Sequence, residues 1–249
     1  MRKKLIAANW KMYKTPEQAR EFFHHFLPLI KDHDRDEIVV CPNYLALDVS
    51  VHTAKGSNVA IGAQNVNWEK EGAFTGEVCT TMLMAVGVTH VIIGHSERRQ
   101  YFCETDDTVN LKLKAALEAG LVPIVCVGEV LQEREANLTD DVLRRQCTRA
   151  FHKISAKKAH PLVVAYEPVW AIGTGKTATP EIAADAHAII RAEAARSFGD
   201  EFAENLRILY GGSVKPDNAH ALMTTDGIDG ALVGGASLDP KSFAAIVKY

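Results

Sequence analysis

Eight short apolar runs rich in β-branched residues recur along the chain, at residues 5–8, 38–41, 59–63, 90–93, 122–127, 162–165, 207–210 and 230–233. Each has the length of a strand. Their near-continuous apolarity, without strict alternation, predicts strands covered on both faces. Between them the period changes. Thr15-Pro16-Glu17-Gln18 is a capping box that opens an amphipathic helix through Phe22, Phe23, Phe26 and Leu27. Residues 106–119 and 140–154 are helical by period, with Gly120 as the C-cap of the first. Residues 181–198 form a long Ala-rich helix behind Thr179-Pro180, and Asp239-Pro240 caps a last helix over 241–248.

Strand then helix, repeated eight times, predicts a parallel sheet. Eight units in 249 residues with no break in composition match a closed (β/α)8 barrel better than an open sheet. No linker or low-complexity segment interrupts the chain, so a single domain over 1–249 is expected. In such a barrel the C-terminal ends of all strands share one rim, where barrel active sites sit. Those ends carry Asn9 and Lys11, Gln64 and Asn65, His95, Cys126, Glu167, Gly211-Gly212-Ser213 and Gly234-Gly235. Groups far apart in sequence can therefore converge.

Composition narrows the function. Hydrophobic residues make up 47% and charged residues 24%, enough for a large core in a soluble chain. A net charge of -3 without a basic block argues against nucleic acid or an anionic membrane as partner. No apolar run approaches the roughly 18 residues of a spanning helix. The apolar run after the basic start is too short for a signal peptide. Five scattered Cys without CxxC fit a reducing, cytoplasmic compartment.

The stretch from Tyr166 to Pro180 concentrates the chemistry. A rigid strand ends in Glu167, pinned by Pro168, and a loop of about ten residues follows, longer than most strand-to-helix loops. Glu167 is either a structural ion-pair partner or, with its pKa raised under an apolar lid, a general base. Gly173-Thr174-Gly175-Lys176-Thr177 echoes a nucleotide P-loop. The position needing its first Gly is Trp170, and the helix starts too late, so a mobile lid hinged at Lys176-Thr177 is the better reading. His95 precedes a helix opened by Ser96-Glu97, whose positive end favours a neutral imidazole. Lys11 suits a solvated charge, a Schiff-base nucleophile or electrostatic support of an anion. The Gly pairs after the seventh and eighth strands are tight turns or a phosphate site. No metal-ligand spacing is found among His, Cys, Asp and Glu. Residues 65–77 lack helical or strand period, and Phe74 at their tip favours docking into a partner subunit over a core-folded tip.

Several ordered motifs make the whole chain resemble the triosephosphate isomerase family: Ala8-Asn9-Trp10-Lys11-Met12, Gly72-Ala73-Phe74-Thr75-Gly76-Glu77, Gly94-His95-Ser96-Glu97-Arg98-Arg99, Tyr166 through Thr177, Leu209-Tyr210-Gly211-Gly212-Ser213 and Val233-Gly234-Gly235-Ala236-Ser237-Leu238. The resemblance implies interconversion of dihydroxyacetone phosphate and D-glyceraldehyde 3-phosphate through an enediolate, without a cofactor. It implies Glu167 as base and neutral His95 as electrophile, with Lys11 and Asn9 stabilising charge. It also implies phosphate bound by N–H groups of Gly173, Ser213, Gly234 and Gly235. Glu97 would hold Lys11, Cys126 would pack near the base, and Thr75 would reach the other site of a homodimer. Two departures fall near the family's dimer contact: Tyr13-Lys14, where Asn then Gly is usual, and Asn67-Trp68, where Tyr or Phe then Pro is commoner.

Overall fold

The structure is a computed structural model that describes residues 2–173 and 177–249. Eight parallel strands pair in chain order: β1 (Leu5–Asn9), β2 (Glu37–Cys41), β3 (Val59–Ala63), β4 (His90–Ile93), β5 (Val122–Val127), β6 (Val163–Tyr166), β7 (Arg207–Tyr210) and β8 (Gly230–Val233). β8 pairs back onto β1 and closes the barrel, as the repeat predicts. β6 lies one residue later than the apolar run, because Tyr166 still pairs with Val127 and Tyr210 across its two neighbours.

Strand period separates two apolar layers. Leu5, Ala7, Val39, Cys41, Ile92, Ile124, Cys126, Val163, Ala165, Leu209 and Leu232 fill the barrel interior as one cluster. The alternating residues, such as Ile6, Ala8, Val40, Ile93, Val164 and Ile208, face outward and pack with the helices in a second cluster. Gly62 faces inward: a Cβ there would sit 2.6 Å from the Cys41 sulfur and 3.1 Å from His90 Cβ.

The helical signals hold where the capping chemistry is explicit. Thr15 and Gln18 form the reciprocal capping box of the helix Pro16–Leu29. Thr179 caps Pro180–Phe198, and Asp239 caps Pro240–Val247. The helix expected over 140–154 is observed as Thr139–Phe151. The C-cap His152 leaves the helical region at ψ 125°, and Lys153 follows in a left-handed conformation at φ 56°. Residues 65–77 carry no helix or strand, but they are tied at the base. Asn67 donates its N–H to Val78 O at 2.8 Å and its side-chain amide to Glu77 at 3.0 Å. Among the described residues, no helix is long and apolar enough to cross a membrane.

The N-terminal end of the barrel is closed by charge. Glu37 on β2 lies 3.0 Å from His90 Nε2 on β4 and pairs with Arg207 on β7. The His90 contact, with help from Arg207 and against the cost of burial, holds the Glu37 carboxyl down at about 2. A carboxyl lowered in the folded state stabilises fully above its unfolded value and loses that contribution as pH falls through the folded one. Glu37→Gln should therefore lower the melting temperature at pH 7, by about 2–4 °C for each kcal/mol lost. The gap to wild type should narrow between pH 4.5 and pH 2. A gap that does not change with pH would contradict this account.

Candidate active site

Along each strand the interior face continues past the apolar layers to one further residue at the C-terminal rim. On β1 that residue is Asn9 and just beyond β6 it is Glu167, one inward position past the level where Cys126 pairs with Ala165. After β7 and β8 it is Gly211 and Gly234, which border the cleft without a side chain. The result is a cleft of about 800 Å3 whose lining includes Asn9, Lys11, His95, Glu167, Gly173, Ser213, Gly234 and Gly235. Every residue expected to act on substrate or phosphate thus borders one space.

Glu167 and His95 are in direct contact. Glu167 Oε1 lies 2.9 Å from His95 Nε2, and both side chains are buried. The backbone N–H of Ser96 donates to Glu167 Oε2 at 2.9 Å, and the Ser96 hydroxyl reaches Oε1 at 3.4 Å. His95 is also the N-cap of the short helix Ser96–Tyr101: its Nδ1 accepts the N–H of Glu97 at 3.2 Å. Nδ1 is therefore unprotonated, and the ring proton sits on Nε2, facing the carboxylate.

The electrostatics differ from the sequence-based expectation in two respects, the Glu167 carboxyl being lowered and the His95 imidazole raised. Burial alone would raise the Glu167 carboxyl, but His95 and the Ser96 N–H outweigh it and hold the group below its usual range. The expected upward shift is thus reversed, because the carboxylate here is hydrogen-bonded and not simply dried. For His95, burial pushes the imidazole down and the adjacent Glu167 charge pulls it above its ordinary value. Burial, and then the Glu167 charge, drive the Cys126 thiol well up, so it stays protonated beside the base.

Lys11 occupies a left-handed backbone conformation, φ 51°, uncommon for a side-chain-bearing residue. Neighbours impose it. Asn9 Oδ1 accepts the Lys11 N–H at 3.0 Å, and the Gln64 amide donates to Lys11 O and Cys41 O, each at 2.9 Å. The ammonium meets Glu97 Oε1 at 2.6 Å. Lys14, one of the departures, is also left-handed at φ 70°, and its ammonium lies over the rings of Trp10 and Phe22 at 5.3 and 5.0 Å. That cation–π contact offsets the conformational cost of a non-glycine residue there.

Both ends of the loop after Glu167 are anchored. Trp170 Nε1 donates to Glu129 Oε1 at 2.8 Å, and Tyr166 Oη reaches the same oxygen at 3.1 Å. On the far side, the Ala178 N–H donates to Tyr210 Oη at 3.3 Å. Of the residues between, Thr174, Gly175 and Lys176 lie outside the described set, and with them the Lys176 half of the expected hinge. The following helix begins only at Pro180, which is incompatible with a P-loop helix at Lys176-Thr177.

Ser96, Glu129 and Tyr210 were not singled out from the sequence. Glu129 stands two residues past the end of β5, so asking what lies just beyond each strand would have raised it. Thr75 does not border the cleft of its own chain; it is exposed in the loop over 65–77, beside a 45% exposed Phe74.

Fold and site together define a (β/α)8 barrel with a buried carboxylate–imidazole pair in a cleft at its C-terminal rim. A family model described as triosephosphate isomerase matches residues 4–249. Curated proteins named triosephosphate isomerase are similar over the full chain. The protein from Solibacter usitatus (strain Ellin6076) is 57% identical over 249 residues, covering 100% of both chains. That from Citrifermentans bemidjiense is 53% identical, covering 100% of this chain and 99% of its own. That from Clostridium botulinum (strain Okra / Type B1) is 53% identical and covers 100% of both. The chain belongs to the triosephosphate isomerase family.

Gly211 has a specific role in seating the base, since a Cβ there would lie 2.9 Å from Glu167 Cγ and 3.0 Å from Tyr166 O. In a crystal structure, Gly211→Ala should push Glu167 off Ser96 and open the 2.9 Å contact beyond hydrogen-bonding range. Gly235→Ala, where a Cβ meets nothing within 4 Å, should leave it intact. An unmoved Glu167 in the first variant would remove this role.

Proposed function

We propose that the chain interconverts dihydroxyacetone phosphate and D-glyceraldehyde 3-phosphate through an enediolate. The observation that carries the reading is the buried Glu167–His95 contact at 2.9 Å, beside the Lys11 ammonium and the glycine turns after β7 and β8. Glu167, ionised, leaves Ser96 and takes a proton from the carbon beside the substrate carbonyl. It returns that proton to the neighbouring carbon. His95 donates Nε2–H to the oxygen on which charge develops and takes up the hydroxyl proton of the neighbouring oxygen in its place, so that an O–H proton changes oxygen as the C–H proton changes carbon, with Nδ1 held by the Glu97 N–H. When Glu167 turns toward substrate, the charge that raises the imidazole moves away and burial again favours the neutral ring.

Lys11 is engaged as an ion pair with Glu97, which suits an electrostatic role and not a Schiff-base amine. Asn9 holds the Lys11 N–H and so fixes where that charge points. The N–H groups of Gly173, Ser213, Gly234 and Gly235 bind the phosphate. The loop after Glu167 acts as a lid. An enediolate beside a phosphate ester expels phosphate when water and rotation allow, and a closed lid suppresses that loss. A proton moves and no net redox occurs, so the reaction calls for no cofactor.

We also read 1–249 as one domain that acts as a homodimer in the cytoplasm. Exposed Met12, Leu45, Phe74, Met82 and Phe102 support a partner contact, as does a cavity of about 220 Å3 between Lys11, Asn65, Glu97 and Phe102. The tip carrying Thr75 from a second copy fits that cavity in chemistry. Five free Cys support a reducing compartment.

Glu167→Gln should lower kcat by several orders of magnitude while inorganic phosphate still inhibits substrate binding in the wild-type manner. His95→Gln should cost about 2–4 kcal/mol of barrier. A steady-state assay in both directions checks each. Near-wild-type rates in either variant would assign that residue a structural role only.

A further inference from the structure

We propose that Arg99 is a positioning residue that sets the distance between His95 and Glu167; the proposal rests on the isomerase reading above. The ladder between β4 and β5 runs as far as Ile93 and Val125. One residue on, the two strand ends are joined by a side chain. Arg99 Nε donates to Gly94 O at 2.8 Å, and Nη2 donates to Cys126 O at 3.2 Å. The third arm, Nη1, donates to Asp106 Oδ1 at 2.6 Å, at the start of the helix Asp106–Ala119. A single guanidinium plane therefore stands in for the ladder at the level where the chemistry begins.

The two carbonyls it holds lead directly to the reacting pair. Gly94 is the residue before His95. Cys126 pairs with Ala165 on β6, and the next step along that ladder is the Glu167 N–H donating to Val127 O at 2.7 Å. Gly94 sits at φ +73°, and a Cβ on it would lie 3.1 Å from Arg99 Nη2, so the turn and the guanidinium are fitted to each other. The preceding Arg98 turns the other way, to Glu104 at 2.8 Å. Lysine could not replace Arg99, because one ammonium lacks the planar fork that reaches two carbonyls and a carboxylate at once. Arg99 does not border the substrate cleft. It lines an adjoining cleft of about 790 Å3 that shares Glu167 and Ile172 with the substrate cleft and gives small solutes a route to it.

The test compares wild type with Arg99→Ala and Arg99→Lys. Both variants should lose about ten- to a hundredfold in kcat, the scale of a misplacement near 1 Å. KM and inhibition by inorganic phosphate should stay within about twofold, since the phosphate groups are untouched. Guanidinium at low millimolar concentration should restore part of kcat in Arg99→Ala and leave wild type unchanged. Should Arg99→Ala fail to fold, Arg99→Lys decides by the same split of kcat against KM. A variant with wild-type kcat, or a loss that falls equally on phosphate inhibition and resists rescue, would overturn the proposal. Absence of turnover in wild type would instead overturn the isomerase reading.

Discussion

Everything in this molecule depends on the two-residue period of a strand inside a closed barrel. Val163, Ala165 and Glu167 point the same way, so the apolar residues that fill the interior also aim the carboxylate. A slip of one residue in β6 would turn Glu167 outward and put Tyr166 in the interior. The register is held from both sides, by Val127 opposite Tyr166 on β5 and Tyr210 on β7. Packing and catalysis are thus one constraint. The same parity that stacks aliphatic side chains in the middle of the barrel delivers Asn9 and Glu167, with Gly211 and Gly234, to the rim.

The site resolves a conflict created by burial. A carboxylate this deep would be neutral if nothing held it, and a neutral acid is no base. His95 and the Ser96 N–H favour its ionised form. In the proposed mechanism Glu167 exchanges those hydrogen bonds for the substrate carbon. His95 undergoes the complementary change, since its pull toward protonation comes from Glu167 and lapses when that charge moves. The loop that follows Glu167 is anchored on both sides, Trp170 on Glu129 and Ala178 on Tyr210.

Much of this was legible in the sequence because the strands announce themselves as compact apolar runs and their ends carry the chemistry. Glu167, His95, Lys11 and the glycine turns could be placed on one rim from order alone. Helix starts read well where Thr-Pro or Asp-Pro supplied both cap and first residue. The sense of the Glu167 shift could not be read, since it depends on the His95 imidazole, and after it the Ser96 N–H, both remote in sequence, winning over desolvation. Glu129 was equally hidden: a buried carboxylate looks like a surface one until Tyr166 and Trp170 are seen to donate to it. The end of the helix Thr139–Phe151 turned on His152 leaving the helical region, with a left-handed Lys153 after it, which propensity does not reveal.

The central claim is that Glu167 removes a proton from carbon and gives it back to the adjacent carbon. The most direct measurement is exchange of solvent deuterium into dihydroxyacetone phosphate, followed by NMR with wild-type enzyme shown to be folded. The account predicts deuterium at the carbon beside the carbonyl in recovered substrate and at the adjacent carbon in product. Turnover of substrate with no solvent deuterium in either, or no incorporation at all, would contradict it.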